Sequence, residues 1–229
     1  MDVCRRRWCG RGFRLGCGGS CLKLSCPDRY FVPDDVLSIG KKADVDLGSS
    51  ILNDKLLRVL ASIGLGVGGA LGMAGTFAQS DSLRGLDWGI DGIALVMACS
   101  LLMLRFYRMG QEIVAAGFLV FAIGESLLVS SAAMDLARST PSFGGGVGLW
   151  AAGLVLISVP RVFPMVVRLL GVAAALLFAA TASRIFEGAQ IMALSQPLPF
   201  FAYPVLVATF VGWIVTLLKD GIAVARPPV

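Results

Sequence analysis

The chain has no histidine at any position. The commonest general base and commonest metal-ligating side chain is therefore missing. A serine or cysteine nucleophile is left without its usual imidazole base. Haem, zinc and di-iron centres lose their usual nitrogen donor. Lysine is scarce as well: none lies between Lys55 and Lys219, so a membrane-embedded Ser-Lys pair has no lysine to use. No Walker or dinucleotide glycine pattern follows a strand-like segment. These gaps point away from catalysis, and neither a cofactor nor a metal is expected.

Charge is the second shortage. Only 15% of the 229 residues are charged, against roughly a quarter in a soluble domain. The hydrophobic share is 56% and the mean hydropathy is +0.80. A disproportionate part of the charge falls in the first 50 residues, so the rest of the chain is nearly bare. A bilayer can use that much uncharged sequence and a soluble core cannot. The net charge of +5 owes much to Arg5, Arg6, Arg7, Arg11 and Arg14. Basic residues ahead of a first span mark the cytoplasmic side. They have no interleaved aromatic platform, so nucleic acid is not an expected partner.

What is abundant is long apolar sequence. A hydrocarbon core ~30 Å thick needs about 20 helical residues. Between Arg58 and Asp81 there are 22 consecutive uncharged residues. Five further stretches follow: about Leu86 to Leu104, Glu112 to Asp135 interrupted by Glu125, Ser139 to Pro160, about Pro164 to Ser183, and Pro197 to Lys219 with Pro204 inside. They are too long for strands and do not alternate, and in lipid every backbone group must be satisfied internally. The expected fold is all-α, a six-span polytopic transmembrane bundle over residues 54–229. Pro204 is expected at a kink or in the outer turns of its helix.

Loop charge sets the expected orientation. Lys55, Arg58, Arg105, Arg108, Arg161, Arg168, Lys219 and Arg226 gather on one side, with Arg84, Arg138 and Arg184 on the other. Asp81, Asp135 and Glu187 share that second side. The bias places both termini in the cytoplasm of a cell membrane, and the pattern suits a multi-pass protein of a bacterial inner membrane. Trp88, Phe106, Tyr107, Phe143, Phe163, Phe200, Phe201 and Tyr203 lie near span ends, where interfacial anchoring is expected. Thr76-Phe77-Ala78-Gln79-Ser80 looks like a signal-peptidase site, but the apolar run before it is longer than a signal peptide's, so a retained first span is expected.

Residues 1–53 read as a separate, disordered segment rich in cysteine, arginine and glycine, or as an over-extended start. Cys4, Cys9, Cys17, Cys21 and Cys26 are separated by four, seven, three and four intervening residues, unlike the Cys-x₂-Cys pairs that zinc favours. A reducing cytoplasm disfavours a disulfide framework. Cys99, inside the second span, reads as packing.

Small residues recur at four-residue spacing: Gly64, Gly68 and Gly72 in the first span, Gly144, Gly148 and Ala152 in the fourth. Such ridges let helix backbones approach closely. They serve packing within the chain or association with a second copy or membrane partner.

One candidate site stands out. Glu125 lies thirteen residues past Glu112, ~20 Å along its helix. The second and third spans form an antiparallel hairpin that brings Glu125 level with Gly92, beside Asp91. Ser126 and Ser130 follow nearby, and Gly89, Gly92 and Gly124 leave room. Ionisable groups at such depth face a bundle interior or a cavity, and two carboxylates in low dielectric cannot both ionise cheaply. The pair is a candidate proton or cation site. Two structural alternatives compete: a glutamic acid that clamps helices by hydrogen bonding, and Arg184 reaching in as a counter-charge. Two functions follow, a small proton- or cation-coupled transporter or channel component, and a non-catalytic scaffold or partner subunit packing through its glycine faces.

Overall fold

The computed structural model describes the backbone of residues 35–132, 136–191 and 193–224, and the side chains of 54–131, 139–191 and 193–219. The cysteines at 4, 9, 17, 21 and 26, the disorder expected for the start of the chain, and the side chains of Asp135, Arg138 and Arg226 lie outside those residues. The chain divides into two units, residues 1–43 and 44–229. All packing described below lies within the second.

The described residues form six helices and no strand: α1 (Asp35–Phe77), α2 (Asp81–Arg108), α3 (Glu112–Ala132), α4 (Leu136–Ser158), α5 (Met165–Phe186) and α6 (Ala202–Val224). Each contains an apolar stretch long enough to cross a bilayer, beginning in α1 at Asp54. The burial pattern is inverted relative to a soluble protein. Ile93 is 71% exposed and Leu176 67%, while Asp91 and Glu125 are buried at 9% and 3%. Apolar side chains turned outward along every span have hydrocarbon as their natural solvent. The protein is a multi-pass, all-helical membrane protein.

Local chemistry places the helix ends. Ser80 caps α2, accepting the Leu83 N–H at 3.2 Å through its side-chain oxygen. Helices α2 and α5 stop in the same manner. Gly110 (φ 72°) and Gly188 (φ 95°) take left-handed backbone just past each end. The next N–H then reaches back to the Phe106 and Arg184 carbonyls, both at 2.9 Å. Arg168 caps α4 from α5, donating to the Ser158 and Val159 carbonyls at 2.7 and 2.8 Å. Pro204 is the third residue of α6, where its missing N–H leaves no hydrogen bond unmade.

Glycine governs how closely the helices approach. In α1 the expected ridge faces α2 along its length: a Cβ at Gly64 would stand 2.8 Å from Ala98 Cβ, and one at Gly72 would stand 2.7 Å from Asp91 Oδ2. The tightest contact joins α3 to α4. Gly117 meets Gly153 and Gly124 meets Gly146, and a Cβ on Gly124, Gly146 or Gly153 would lie 2.9 Å from the partner's carbonyl oxygen. These glycines are seven residues apart, a spacing that drifts only ~20° around a helix. The fourth-span ridge needs correcting. Gly144 and Gly148 face Ile185 and Ala182 of α5, but Ala152 points outward. A row of four-residue steps winds about 40° per step, and by its third member this one has turned off its neighbour.

The aromatic residues also depart from expectation. Phe106 and Phe163 are core residues, and Tyr203 is half-buried; Tyr107 and Phe201 remain largely exposed at span ends. Near the α2–α3 turn, Phe106 stacks on Phe118 at 5.5 Å and meets Phe163 at 5.7 Å. Trp213 closes on Phe118 at 5.1 Å. The column continues through Phe210 and Phe121 to Trp150, each step under 6 Å between ring centres. At the same end, Asp54 accepts from Arg58 and Arg105 at 3.1 and 3.0 Å, joining α1 to α2.

Candidate functional site

Toward the α1–α2 turn the packing opens into a cavity of about 480 Å³. Its walls come from α1, α2, α3, α4 and α6, and the segment after α5 contributes Ile191, Ala193 and Leu194. It extends from Asp81, whose side chain is almost fully exposed, to Glu125 in the bundle interior. The aromatic column ends at this space, since Trp150, Tyr203 and Phe210 line it.

Asp91 and Glu125 both face this one cavity. Gly68 and Gly72 make the room for Asp91: with Cβ atoms they would stand 3.1 Å from its Oδ1 and 2.7 Å from its Oδ2. Gly92 does the same for Glu125, whose Oε1 lies 3.2 Å from where a Cβ would sit; that Cβ would also overlap Val129. Glu125 and Gly92 are therefore level on neighbouring helices. Among the described residues, no group donates a hydrogen bond to Asp91 Oδ1 or to Glu125 Oε2, and no arginine or lysine pairs with either acid. Trp150 lines the same cavity, and its indole N–H also lacks an acceptor in hydrogen-bond geometry among the described residues. Tyr203 lines the cavity as well.

The rest of the sequence-derived site is rearranged. Ser126 is exposed, and its hydroxyl donates to the Ala122 carbonyl at 2.9 Å within its own helix. Ser130 is exposed too. The two serines lie about 100° and 140° around the helix from Glu125, on its outward side. Ser131 lines the cavity instead, its hydroxyl bonded to Leu128 O at 2.8 Å. Gly124 serves the α4 contact, not the acids, and Gly89 faces open space. Arg184 does not reach in: its side chain is 64% exposed and lies 3.7 Å from Glu187. Cys99 is a fully buried thiol among core side chains.

Among the described residues, Arg84 is the cationic side chain at the cavity. Its two terminal nitrogens are committed to Asp81 and the Ala78 carbonyl, each at 2.8 Å. The site also includes Trp88, which donates to the Gly72 carbonyl at 3.4 Å and lines the wall as well as tying α2 to α1. Gly72 packs against Asp91, about five residues away from the pairing that a symmetric 78–80 turn would set, so the turn alone did not announce that contact. The contributions of α4 and α6 had no readable signal either, because they depend on how distant spans assemble.

Two acids that pair with no described cation thus line one largely apolar cavity. Among the described residues no cluster of three or more His, Cys, Asp or Glu side chains gathers to hold a metal ion. Set against known protein families, curated proteins and solved structures, the chain matches none of them.

Proposed function

We propose that the protein is a small carrier or channel component of a bacterial inner membrane, handling protons or another cation through Asp91 and Glu125. The observation that carries this reading is the pair itself: two buried carboxylates with unpartnered oxygens, on one cavity that extends to the exposed Asp81. Buried ionisable groups in a span are expensive, and unpaired acids more so. A clamp that only tied helices together would donate or accept a hydrogen bond across them, and these oxygens do neither. Cation and proton compete for the same oxygens, which is the elementary requirement for coupling their movements. The charge bias of the loops supports cytoplasmic termini and a cavity facing the other side.

A scaffold or partner subunit that associates through its glycine faces is the second reading, with Ala152 turned outward on α4. Gly64, Gly68, Gly72, Gly144 and Gly148 all meet neighbouring helices of the same chain.

The test uses proteoliposomes loaded with a pH-sensitive dye. Under an imposed pH gradient, added monovalent cations should accelerate its collapse, and Glu125→Gln should slow that response at least tenfold. Wild-type rates in Glu125→Gln would refute the site. Orientation is read from fusions at Val229: green fluorescence is expected, and alkaline phosphatase activity would invert the topology.

A further inference from the structure

The walls of the cavity bear on which cation it takes. Calcium needs six to eight oxygen ligands and magnesium a near-ideal octahedron. Dehydrated sodium or potassium likewise needs a ring of oxygens in place of its water. Among the described lining residues the unpartnered oxygens come from two side chains, and the surroundings, although they include the hydroxyls of Ser131, Ser139, Thr140 and Tyr203, are mostly apolar. Trp88, Phe143, Trp150, Tyr203 and Phe210 present aromatic surface, with Leu95 and Leu206 among the aliphatic walls. Such walls give nothing back for a lost hydration shell. They suit a cation that is weakly hydrated and carries its own apolar surface. Aromatic faces attract such charges directly. The volume of about 480 Å³ falls within the range of sites for small organic ligands. Arg84, held by Asp81 and Ala78 O, keeps its charge at the mouth.

We propose that the cavity binds a lipophilic organic monocation. Its charged centre sits against Asp91 and Glu125, and its apolar body fills the aromatic-walled space. This rests on the acid-pair reading above and narrows it from cations in general to one class.

The probes are two ions of matching shape and opposite charge, tetraphenylphosphonium and tetraphenylborate. Binding is measured by equilibrium dialysis to the full chain in lipid nanodiscs, and the uptake of each ion by protein-free nanodiscs of the same lipid is subtracted. Tetraphenylphosphonium should saturate at one per chain, and tetraphenylborate should bind at least a hundredfold more weakly. Asp91→Asn and Glu125→Gln should each weaken the phosphonium tenfold or more. Met73→Trp, which fills the cavity from α1 and leaves both acids in place, should weaken it comparably. Millimolar sodium, potassium, magnesium or calcium should not displace it.

Equal binding of the two tetraphenyl ions would overturn the proposal, as would unchanged phosphonium binding in the Asp91→Asn, Glu125→Gln double variant. Should an acid variant fail to fold, the wild-type discrimination between the two ions decides. Glu125-dependent flux with inorganic cations and no phosphonium binding would end this inference and leave the acid pair standing. Loss of the Glu125 dependence in both assays would end both.

Discussion

The two ends of this bundle solve the same problem in opposite ways. Near the α2–α3 turn, Phe106, Phe118, Phe163 and Trp213 fill the space between helices with ring-to-ring contacts. The buried charges at that end are answered, Arg58 and Arg105 by Asp54. Near the α1–α2 turn the interior stays open, and two acids keep oxygens that no described residue satisfies. A buried polar group without a partner costs on the order of 1–3 kcal/mol. The chain can fill space and pair charge, as its other end demonstrates. The contrast therefore locates where stability has been given up, and such places are where binding sites are found.

The sharpest way to break the contrast is to cut one aromatic at each end. Trp213 is 1% exposed and packed on all sides; Trp213→Ala should cost about 4 kcal/mol. Phe143 is half-buried and already borders the cavity, so Phe143→Ala should cost about 1 kcal/mol, because much of the vacated volume adjoins existing space. Unfolding midpoints in mixed micelles measure both. Equal losses would mean the cavity end is as tightly packed as the other.

Glycine substitutions on α3 and α4 come next. A methyl at Gly124 would sit 2.9 Å from the Gly146 carbonyl oxygen and 3.0 Å from Leu149 Cβ, with backbone on one side that cannot yield. Gly124→Ala should cost about 2 kcal/mol. Gly145 meets nothing within reach, so Gly145→Ala should gain up to about 1 kcal/mol from helix propensity alone. A neutral Gly124→Ala would show that α3 and α4 are held less closely than their backbones indicate.

The third test exchanges function for stability at the acids themselves. Asp91→Asn and Glu125→Gln keep shape and remove the capacity for buried charge. Each should leave the unfolding midpoint unchanged or raise stability by about 1 kcal/mol while abolishing cation-dependent flux. A sharp destabilisation would instead identify the acid as a structural clamp.

Part of this arrangement was legible in the chain and part was not, for physical reasons. Six spans follow from hydropathy, because lipid leaves the backbone no other regular choice. The shared depth of Asp91 and Glu125 follows from a short turn at residues 109–111, which fixes the register of its two helices. Ser126 and Ser130 were misassigned by nearness in sequence, although helical periodicity alone turns them away from Glu125. Ala152 and Gly153 differ by one residue, and their roles are decided by the phase of α4 against α3 and α5. Trp150, Tyr203 and Phe210 belong to helices remote in sequence from the acids, and nothing local announces that they share a wall.

Arg184 and Arg84 give the smallest and most discriminating comparison. Both precede or follow a span on the same side of the bundle, and charge pattern alone cannot rank them. Arg184 is 64% exposed, and its contact with Glu187 at 3.7 Å is a loose, solvent-screened pair. Such pairs contribute less than about 1 kcal/mol, often nothing measurable. Arg184→Ala should therefore change stability by less than about 0.5 kcal/mol and leave phosphonium binding at the wild-type level. Arg84 closes the end of α1 through Ala78 O and pairs with Asp81, so Arg84→Gln should cost about 1 kcal/mol. Strengthened phosphonium binding in Arg184→Ala would mean that the positive charge near the end of α5 does reach the cavity, and that the acids are less alone than their geometry makes them.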